Sequence, residues 1–327
     1  MTTRRSLLAL PLMLALGHAV PAHAQGTVTM YTAMPTEILN ALVPAMKAKT
    51  GLDIQVVTAG SGELLKRLQA ESSRPLADVL ISVGADGVDA NAKLFTAYDP
   101  PGSDKILPGI RTSKMWVPFS VTLPTVIAVN TKLVPENEIP TGWRDLADPK
   151  WKGKVAFAGA DRSGSAFTQM MQIIHNEGPK EGWELFEKMM ANFVITGSST
   201  AVIRGTAQGE YAMSLTLEDN AQRFADGGAP IKIVYPKEGI SVSADVMTLV
   251  ANGPNPAGGK ALMDYIASPE GQALIVKASG RRPIRGDVAG PANAVAAASL
   301  PVKTYPVEWA VANTKEYMDR YLKLARR

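Results

Sequence analysis

Between Ile54 and Gly84 the hydrophobic period of the chain changes twice. Ile54-Gln55-Val56-Val57-Thr58 is a short β-branched run, Leu64, Leu65 and Leu68 recur at helical spacing, and Val79-Leu80-Ile81-Ser82-Val83 is again apolar and β-branched. Ala59-Gly60-Ser61-Gly62 joins the first run to the second. The order predicts strand, glycine-rich turn, helix and strand, the unit from which parallel sheets are assembled. A turn of this kind presents backbone N–H groups at a helix N-terminus, where an anion or a polar ligand can dock. The rest of the chain decides whether such a place serves chemistry or capture.

The same alternation continues on both sides. Thr27 to Thr32 reads as a strand and Pro35 to Lys49 as an amphipathic helix, with Pro35 near its start and Gly51 past its end. A short helix is expected around Asp86 to Lys93, a loop at Asp99 to Ser103, and extended segments at Met115 to Val121 and Thr125 to Asn130, separated by Leu123-Pro124. Further strands are expected at Val155 to Ala158, Phe193 to Thr196, Tyr211 to Leu217, Ile231 to Tyr235 and Val242 to Ala251. Helices are expected at Ser163 to Asn176, Glu181 to Asn192, Thr200 to Gln208, Asp219 to Asp226, Pro256 to Ala267, Pro269 to Ala278 and Trp309 to Leu324. The pattern is that of an α/β fold with two mixed, mainly parallel sheets flanked by helices. Residues 25–122 and 243–298 would form one lobe and 123–242 the other, joined by a two-crossing hinge. Residues 299–327 form a helical C-terminal segment that could belong to either lobe, and Ala289 to Ala298 has no clear pattern.

Arg4-Arg5, the apolar stretch Leu7 to Leu16 and Ala22-His23-Ala24 together form a secretory signal over residues 1–24, with cleavage near Ala24. Thr3-Arg4-Arg5-Ser6-Leu7-Leu8 also resembles a twin-arginine signal. Nothing later approaches the ~20 apolar residues of a membrane-spanning helix. Loss of Arg4 and Arg5 lowers the formal charge from +4 to +2, which gives no reason to invoke nucleic acid. The chain has no cysteine, and His175 is the one histidine left beyond the leader. Zinc, copper and haem sites of the usual kinds draw on imidazole and thiolate, so only oxygen-rich sites remain open.

Enzyme motifs are absent. Gly60-Ser61-Gly62 starts like a dinucleotide fingerprint, but Leu65 stands where a third glycine belongs, and no G-x-x-x-x-G-K-[ST] occurs. Neither Ser61 nor Ser163 lies in G-x-S-x-G, and His175, the sole histidine for a triad, falls in a predicted helix beside Ile173 and Ile174. Polar turns at strand ends read differently, because several could converge in a cleft at the carboxyl ends of parallel strands. They are Thr32-Ala33, Ser61-Gly62 and Ser82 with Gly84 in the first lobe. In the second they are Ser163-Gly164-Ser165, Ser198-Ser199-Thr200 and Glu218-Asp219. Each alone is an ordinary helix cap; their recurrence in both lobes points to ligand binding. Glu218-Asp219 could favour a helix N-terminus or accept from the ligand. Arg281-Arg282-Pro283-Ile284-Arg285 could clamp a phosphate or bridge lobes and solvent. The pairs Met170-Met171 and Met189-Met190 are expected in the core.

Several stretches resemble periplasmic solute-binding proteins of bacterial ABC importers. They are Tyr31-Thr32, Thr58 to Leu65, Ala77-Asp78-Val79-Leu80, Ala147 to Val155, Val234 to Gly239, Ser268-Pro269-Glu270-Gly271-Gln272 and Arg281 to Arg285. The resemblance covers nearly the whole chain beyond the leader, within the branch of ferric-iron, phosphonate, sugar-phosphate or thiamine binders. It implies a two-lobed, type II periplasmic-binding fold, a periplasmic monomer that traps a small solute between lobes, and an inner-membrane ABC permease as partner. It implies no cofactor and no catalysis. The chain departs from ferric binders in having no Tyr-Tyr pair and no histidine in Thr32 to Glu37. The hydroxyl-rich and glycine-rich turns fit an anionic solute, with Ser61, Gly62, Ser163, Gly164, Ser165, Ser198, Ser199 and Thr200 at the anion and Glu218 or Asp219 at the remainder. Under the alternative of ferric iron, the ligands would be Tyr31, Tyr211, Glu218 and Asp219. A thiamine or thiamine-phosphate binder, and an exported phosphoester hydrolase, are further alternatives.

Overall fold

Strands β1 (Thr27–Thr32), β2 (Asp53–Thr58), β3 (Val79–Gly84), β4 (Phe95–Thr96) and β5 (Val117–Thr122) come first in the computed structural model. β6 (Val126–Asn130), β7 (Val155–Ala158), β8 (Phe193–Thr196), β9 (Met213–Thr216) and β10 (Ile231–Val234) follow, and β11 (Ile240–Ser241), β12 (Ser243–Val250) and β13 (Val302–Lys303) complete the series. The helices are α1 (Thr36–Thr50), α2 (Ser61–Ala70), α3 (Ala85–Asp89), α4 (Gly164–Glu177), α5 (Pro179–Met190), α6 (Ser199–Gln208), α7 (Glu218–Asp226), α8 (Pro256–Ala267), α9 (Pro269–Ser279) and α10 (Val307–Ala325). The structure describes residues 26–122, 125–241, 243–292, 295, 300, 302–303 and 305–325. The expected leader, the Leu123-Pro124 break and much of the segment 289–298 lie outside the described residues.

Among the described residues the first sheet has the order β2-β1-β3-β12-β4, with β5 also paired to β12, and the second the order β10-β6-β9-β7-β8. The chain passes from the first sheet to the second between β5 and β6 and returns between β11 and β12. Both sheets are mixed, as expected, but parallel pairing is confined to β1 with β2 and β3, and to β7 with β8 and β9. β12 runs antiparallel to β3, β4 and β5, and β6 antiparallel to β9 and β10. Parallel neighbours need a crossover connection between them. The strands that enter or leave a sheet at the crossings have none, so there the parallel majority expected from the alternation gives way.

β3 is an inner strand with both faces covered, which is why Val79-Leu80-Ile81 is uninterrupted rather than alternating. Above it Met30, Ile38, Leu42, Met46, Phe119 and Met247 pack together; below it Tyr31, Leu64, Leu68, Leu80 and Val246 do. The core around the second sheet is built on Trp143, Phe157, Met170, Met171, Trp183, Phe186 and Met189. Gly51 ends α1 in the left-handed conformation (φ 70°), and its N–H closes on the Lys47 carbonyl.

The C-terminal helix belongs with the second sheet's core. Tyr317 and Tyr321 of α10 are buried in it, Tyr317 meets Trp183 edge-on at 5.1 Å, and Arg320 lies over the Trp183 ring at 4.3 Å. Trp309 closes against His175 at 4.8 Å, so the histidine is a packed residue near a helix end. Ahead of α10, β13 pairs with β11 beside the second crossing. Trp183→Ala should therefore cost about 3–5 kcal/mol of stability, measured by urea unfolding, and should increase protease cleavage within residues 307–325. Cleavage unchanged from the native protein would contradict the role of Trp183 as the seat of α10.

Candidate functional site

The carboxyl ends of β1, β2, β3, β7, β8 and β9 converge on a cavity of ≈ 330 Å³ between the two sheets. That is the lower end of the range for small-molecule sites, about 300–1,000 Å³. Four helices of ten residues or more begin on its wall. Pro35 precedes α1, Gly60 and Ser61 open α2, Ser163, Gly164 and Ser165 open α4, and Ser198, Ser199 and Thr200 open α6. The first N–H groups of a helix have no partner within it, and each N-terminus carries about half a positive charge. Four of them border one small volume, and none of the described residues lining it is a lysine.

Hydroxyls reinforce the same end. Ser163 caps α4 by accepting from the Ala166 N–H (3.3 Å), and Ser198 caps α6 by accepting from the Ala201 N–H (3.2 Å). Ser163, Ser165 and Ser199 form a closed triangle of Oγ atoms with sides of 3.1, 2.8 and 2.7 Å. Three rotatable donors held together by helix caps can turn toward an oxyanion without rearranging the backbone.

Glycines bring the lobes into contact beside the cavity. A Cβ on Gly60 would stand 2.0 Å from the Arg162 carbonyl oxygen, one on Gly62 2.6 Å from that of Asp161, and one on Gly164 2.8 Å from Ser61 Oγ. Gly60 has φ −66°, so its role is space and not conformational freedom. The glycine-rich turn is the seam across which α2 meets the loop before α4.

The floor is ionic. Arg281, 3 % exposed, donates from Nε to Asp219 Oδ2 (2.8 Å) and from Nη1 to Asp245 Oδ2 (2.6 Å). Burial works against its charge, but the two carboxylates outweigh that and raise its pKa above the ordinary guanidinium value. Ser82 Oγ donates to the same Asp245 oxygen (3.0 Å). Ser82 has φ 62°, rare for a residue with a side chain, and sits where the register between β3 and β12 shifts. Such strain costs of order 1–3 kcal/mol and collects at ligand clamps, and a bulge re-aims a side chain; here it turns Ser82 onto Asp245.

Of the residues expected from sequence, Thr32, Ala33, Ser61, Ser82, Gly84, Ser163, Gly164, Ser165, Ser198, Ser199 and Thr200 line this cavity. Gly62 lines a neighbouring, more apolar one beside α10, and Glu218 and Asp219 line another with Lys277 and Gly280. Glu218 instead accepts from Tyr235 (2.7 Å) and pairs with Arg282. Arg281 and Arg285 are buried rather than solvent-facing, because Asp219, Asp245 and Asp287 neutralise them. The iron set does not assemble: Tyr31 donates to Glu71 (3.0 Å) beneath α2 and Tyr211 to Glu210 (2.8 Å). Burial and Glu71 raise the Tyr31 pKa, and Glu210 raises that of Tyr211, away from the phenolate a ferric ion takes. Among the described residues no aromatic side chain lines the cavity to stack on a thiamine ring. Sequence reasoning missed Arg162, Asn220 and Asp245 in the lining and left Arg281 undecided. Ser82 and Arg281, the partners of Asp245, stand 163 and 36 residues away from it in the chain, and only the run Arg281 to Arg285 gave any signal.

The family model for bacterial extracellular solute-binding proteins matches residues 74–309. The chain belongs to the bacterial extracellular solute-binding proteins. Its backbone superposes on the periplasmic binding protein AfuA of Actinobacillus pleuropneumoniae, solved with exogenous fructose-6-phosphate, with TM-score 0.86 and 22% identity over 91% of this chain and 98% of that one. A putative 2-aminoethylphosphonate-binding periplasmic protein of Salmonella typhimurium is 27% identical over 75% of this chain and 73% of its own. The Fe(3+)-binding periplasmic protein of Serratia marcescens is 26% identical over 83% and 82%. The two sheets flanked by helices are thus those of the periplasmic-binding fold, and solute-binding proteins with this fold hold their solutes between the lobes.

One further contact crosses between the halves. Asp86 of α3 is buried, and its Oδ2 accepts from Thr168 of α4 (3.4 Å) and from Tyr305 (3.3 Å). Burial raises its carboxyl pKa more than the hydrogen bonds from Gly87, Tyr305 and Thr168 lower it. A raised carboxyl contributes its stability below the ordinary value and loses it as pH rises through the folded one. Asp86→Asn should therefore raise the melting temperature relative to the native protein near pH 8, with the difference shrinking toward about pH 4. A constant difference across that range would remove the burial argument. Gly60→Ala, whose Cβ would overlap the Arg162 carbonyl, should weaken ligand affinity roughly 5- to 100-fold, the cost of a 1–3 kcal/mol overlap at the seam. Native-like affinity in calorimetry would show that the seam does not close on ligand.

Proposed function

We propose that this solute-binding protein captures a small phosphorylated or phosphonate solute in the periplasm and hands it to an inner-membrane ABC permease. The observation that carries the reading is the convergence of the α1, α2, α4 and α6 N-termini with the Ser163, Ser165 and Ser199 hydroxyls on one cavity. Phosphate and phosphonate oxygens accept from such donors, and helix N-termini favour their charge. The relatives named for a phosphonate and solved with a sugar phosphate support the same class. The leader expected over residues 1–24 and the family's extracellular description support export.

The role is capture, not turnover. The three serines hold one another rather than a general base, and His175 is packed against Trp309 instead of lining the cavity. Nucleophilic catalysis needs a base within hydrogen-bond reach. A ligand touching helices from both lobes binds the closed arrangement better than an open one, and that difference drives closure.

Calorimetry on the mature protein should find binding of fructose 6-phosphate or an alkylphosphonate, with compaction in solution scattering, and none of ferric citrate. Ser165→Ala and Ser199→Ala should each weaken that binding about 10- to 100-fold, the loss of a hydrogen bond to a charged group. Uptake of ferric citrate with no affinity for any phosphate or phosphonate would replace this reading with an iron carrier.

A further inference from the structure

We infer that the solute is zwitterionic, carrying an ammonium group that Asp245 receives at the cleft floor while the serine triangle receives the phosphoryl oxygens. This deepens the proposed function and rests on it.

The cavity is electrically divided. One end gathers helix N-termini and serine hydroxyls, with Arg162 at the rim, and Glu63 lies in the first turn of α2 where that helix offsets its charge. At the floor a single guanidinium, Arg281, faces two carboxylates, Asp219 and Asp245, so the buried group sums to one net negative charge. Asp219 Oδ1 is buried with no hydrogen-bond partner among the described residues, which leaves that charge further uncompensated. A purely anionic solute closed over this floor would bury a second negative charge beside the first, and unpaired buried charge is strongly unfavourable. A cation on the solute removes that penalty.

Asp245 is the member able to receive it. Its side chain is 21 % exposed, against 5 % for Asp219 and 3 % for Arg281, and it lines the cavity. Oδ2 is engaged by Arg281 and Ser82, whereas Oδ1 makes no hydrogen bond among the described residues. The left-handed Ser82 and the guanidinium fix the carboxylate, so one oxygen is held and one is presented. An ammonium supplies up to three donors in any direction and suits a single presented oxygen. A sugar hydroxyl would donate the same hydrogen bond but leave the net charge in place.

Calorimetry on the unmodified mature protein tests this with 2-aminoethylphosphonate, 3-aminopropylphosphonate, propylphosphonate, 2-hydroxyethylphosphonate, fructose 6-phosphate and inorganic phosphate. At least one aminoalkylphosphonate should bind about 10- to 100-fold more tightly than propylphosphonate and 2-hydroxyethylphosphonate, the worth of a hydrogen bond to a charged group. Asp245→Asn should abolish that preference, bringing the aminoalkylphosphonate and propylphosphonate affinities together, a change in ratio that general loosening of the fold would not produce. If propylphosphonate, 2-hydroxyethylphosphonate or fructose 6-phosphate equals the amine, the ammonium assignment fails and the phosphoryl site stands. If none of the six binds, both fail. Should Asp245→Asn not fold, the comparison among ligands decides alone.

Discussion

A guanidinium sealed between carboxylates of two lobes is the interaction on which the rest of the cleft depends. Arg281 follows α9 in the half built on the first sheet, Asp245 belongs to β12 of that sheet, and Asp219 comes from α7 on the second. Gly280, left-handed at φ 71°, ends α9 and turns the chain inward, and Ser279 Oγ accepts from the Arg281 N–H (3.1 Å). Arg282 then exchanges backbone hydrogen bonds with Val121, one residue before the end of β5, where the chain leaves for the second sheet. The arginine is thus anchored beside a crossing by main-chain bonds before its side chain makes any. Buried ion pairs are weak sources of net stability and costly to break on one side. Their value here is positional, since Asp245 and Ser82 take their places from Arg281.

The Gly60-Ser61-Gly62 turn shows how far local sequence carries and where it stops. Periodicity and capping are local, so the strand, the helix and the serine caps at 163 and 198 were legible from neighbouring residues. The reason for the glycines was not. A fingerprint reading assigns them to a phosphate, whereas Gly60 and Gly62 make room for the backbone of residues 161 and 162 from the other lobe. Tyr31 illustrates the same boundary within one strand. Thr32 reaches the cleft and donates to the Ile81 carbonyl, while its neighbour Tyr31 points beneath α2 to Glu71, as alternation along a strand requires. Asp245 and Arg281 are 36 residues apart, and Asp219 and Arg281 are 62 apart. No window of sequence contains such a group. The parallel majority expected of the sheets failed for a related reason: strand alternation records crossover helices and says nothing of strands that enter from another lobe.

Contacts between the halves flank the cavity on two sides, and they are of opposite energetic character. At the glycine seam, backbone meets backbone with no charge to desolvate. At Asp86 a carboxylate is buried against Thr168 and Tyr305, neutral donors whose hydrogen bonds only partly offset its loss of water. Tyr305 is itself raised well above the ordinary phenol by burial and by the Asp86 charge, so it remains a donor. Any opening of the cleft would rehydrate Asp86 and release its cost, whereas closing it again requires a compensating gain elsewhere. Under the proposed function, a solute touching the α1, α2, α4 and α6 N-termini from both lobes would supply that gain. The two contacts therefore differ in what holds them: the glycine seam rests on shape alone, whereas the Asp86 contact carries the cost of the water its carboxylate has given up.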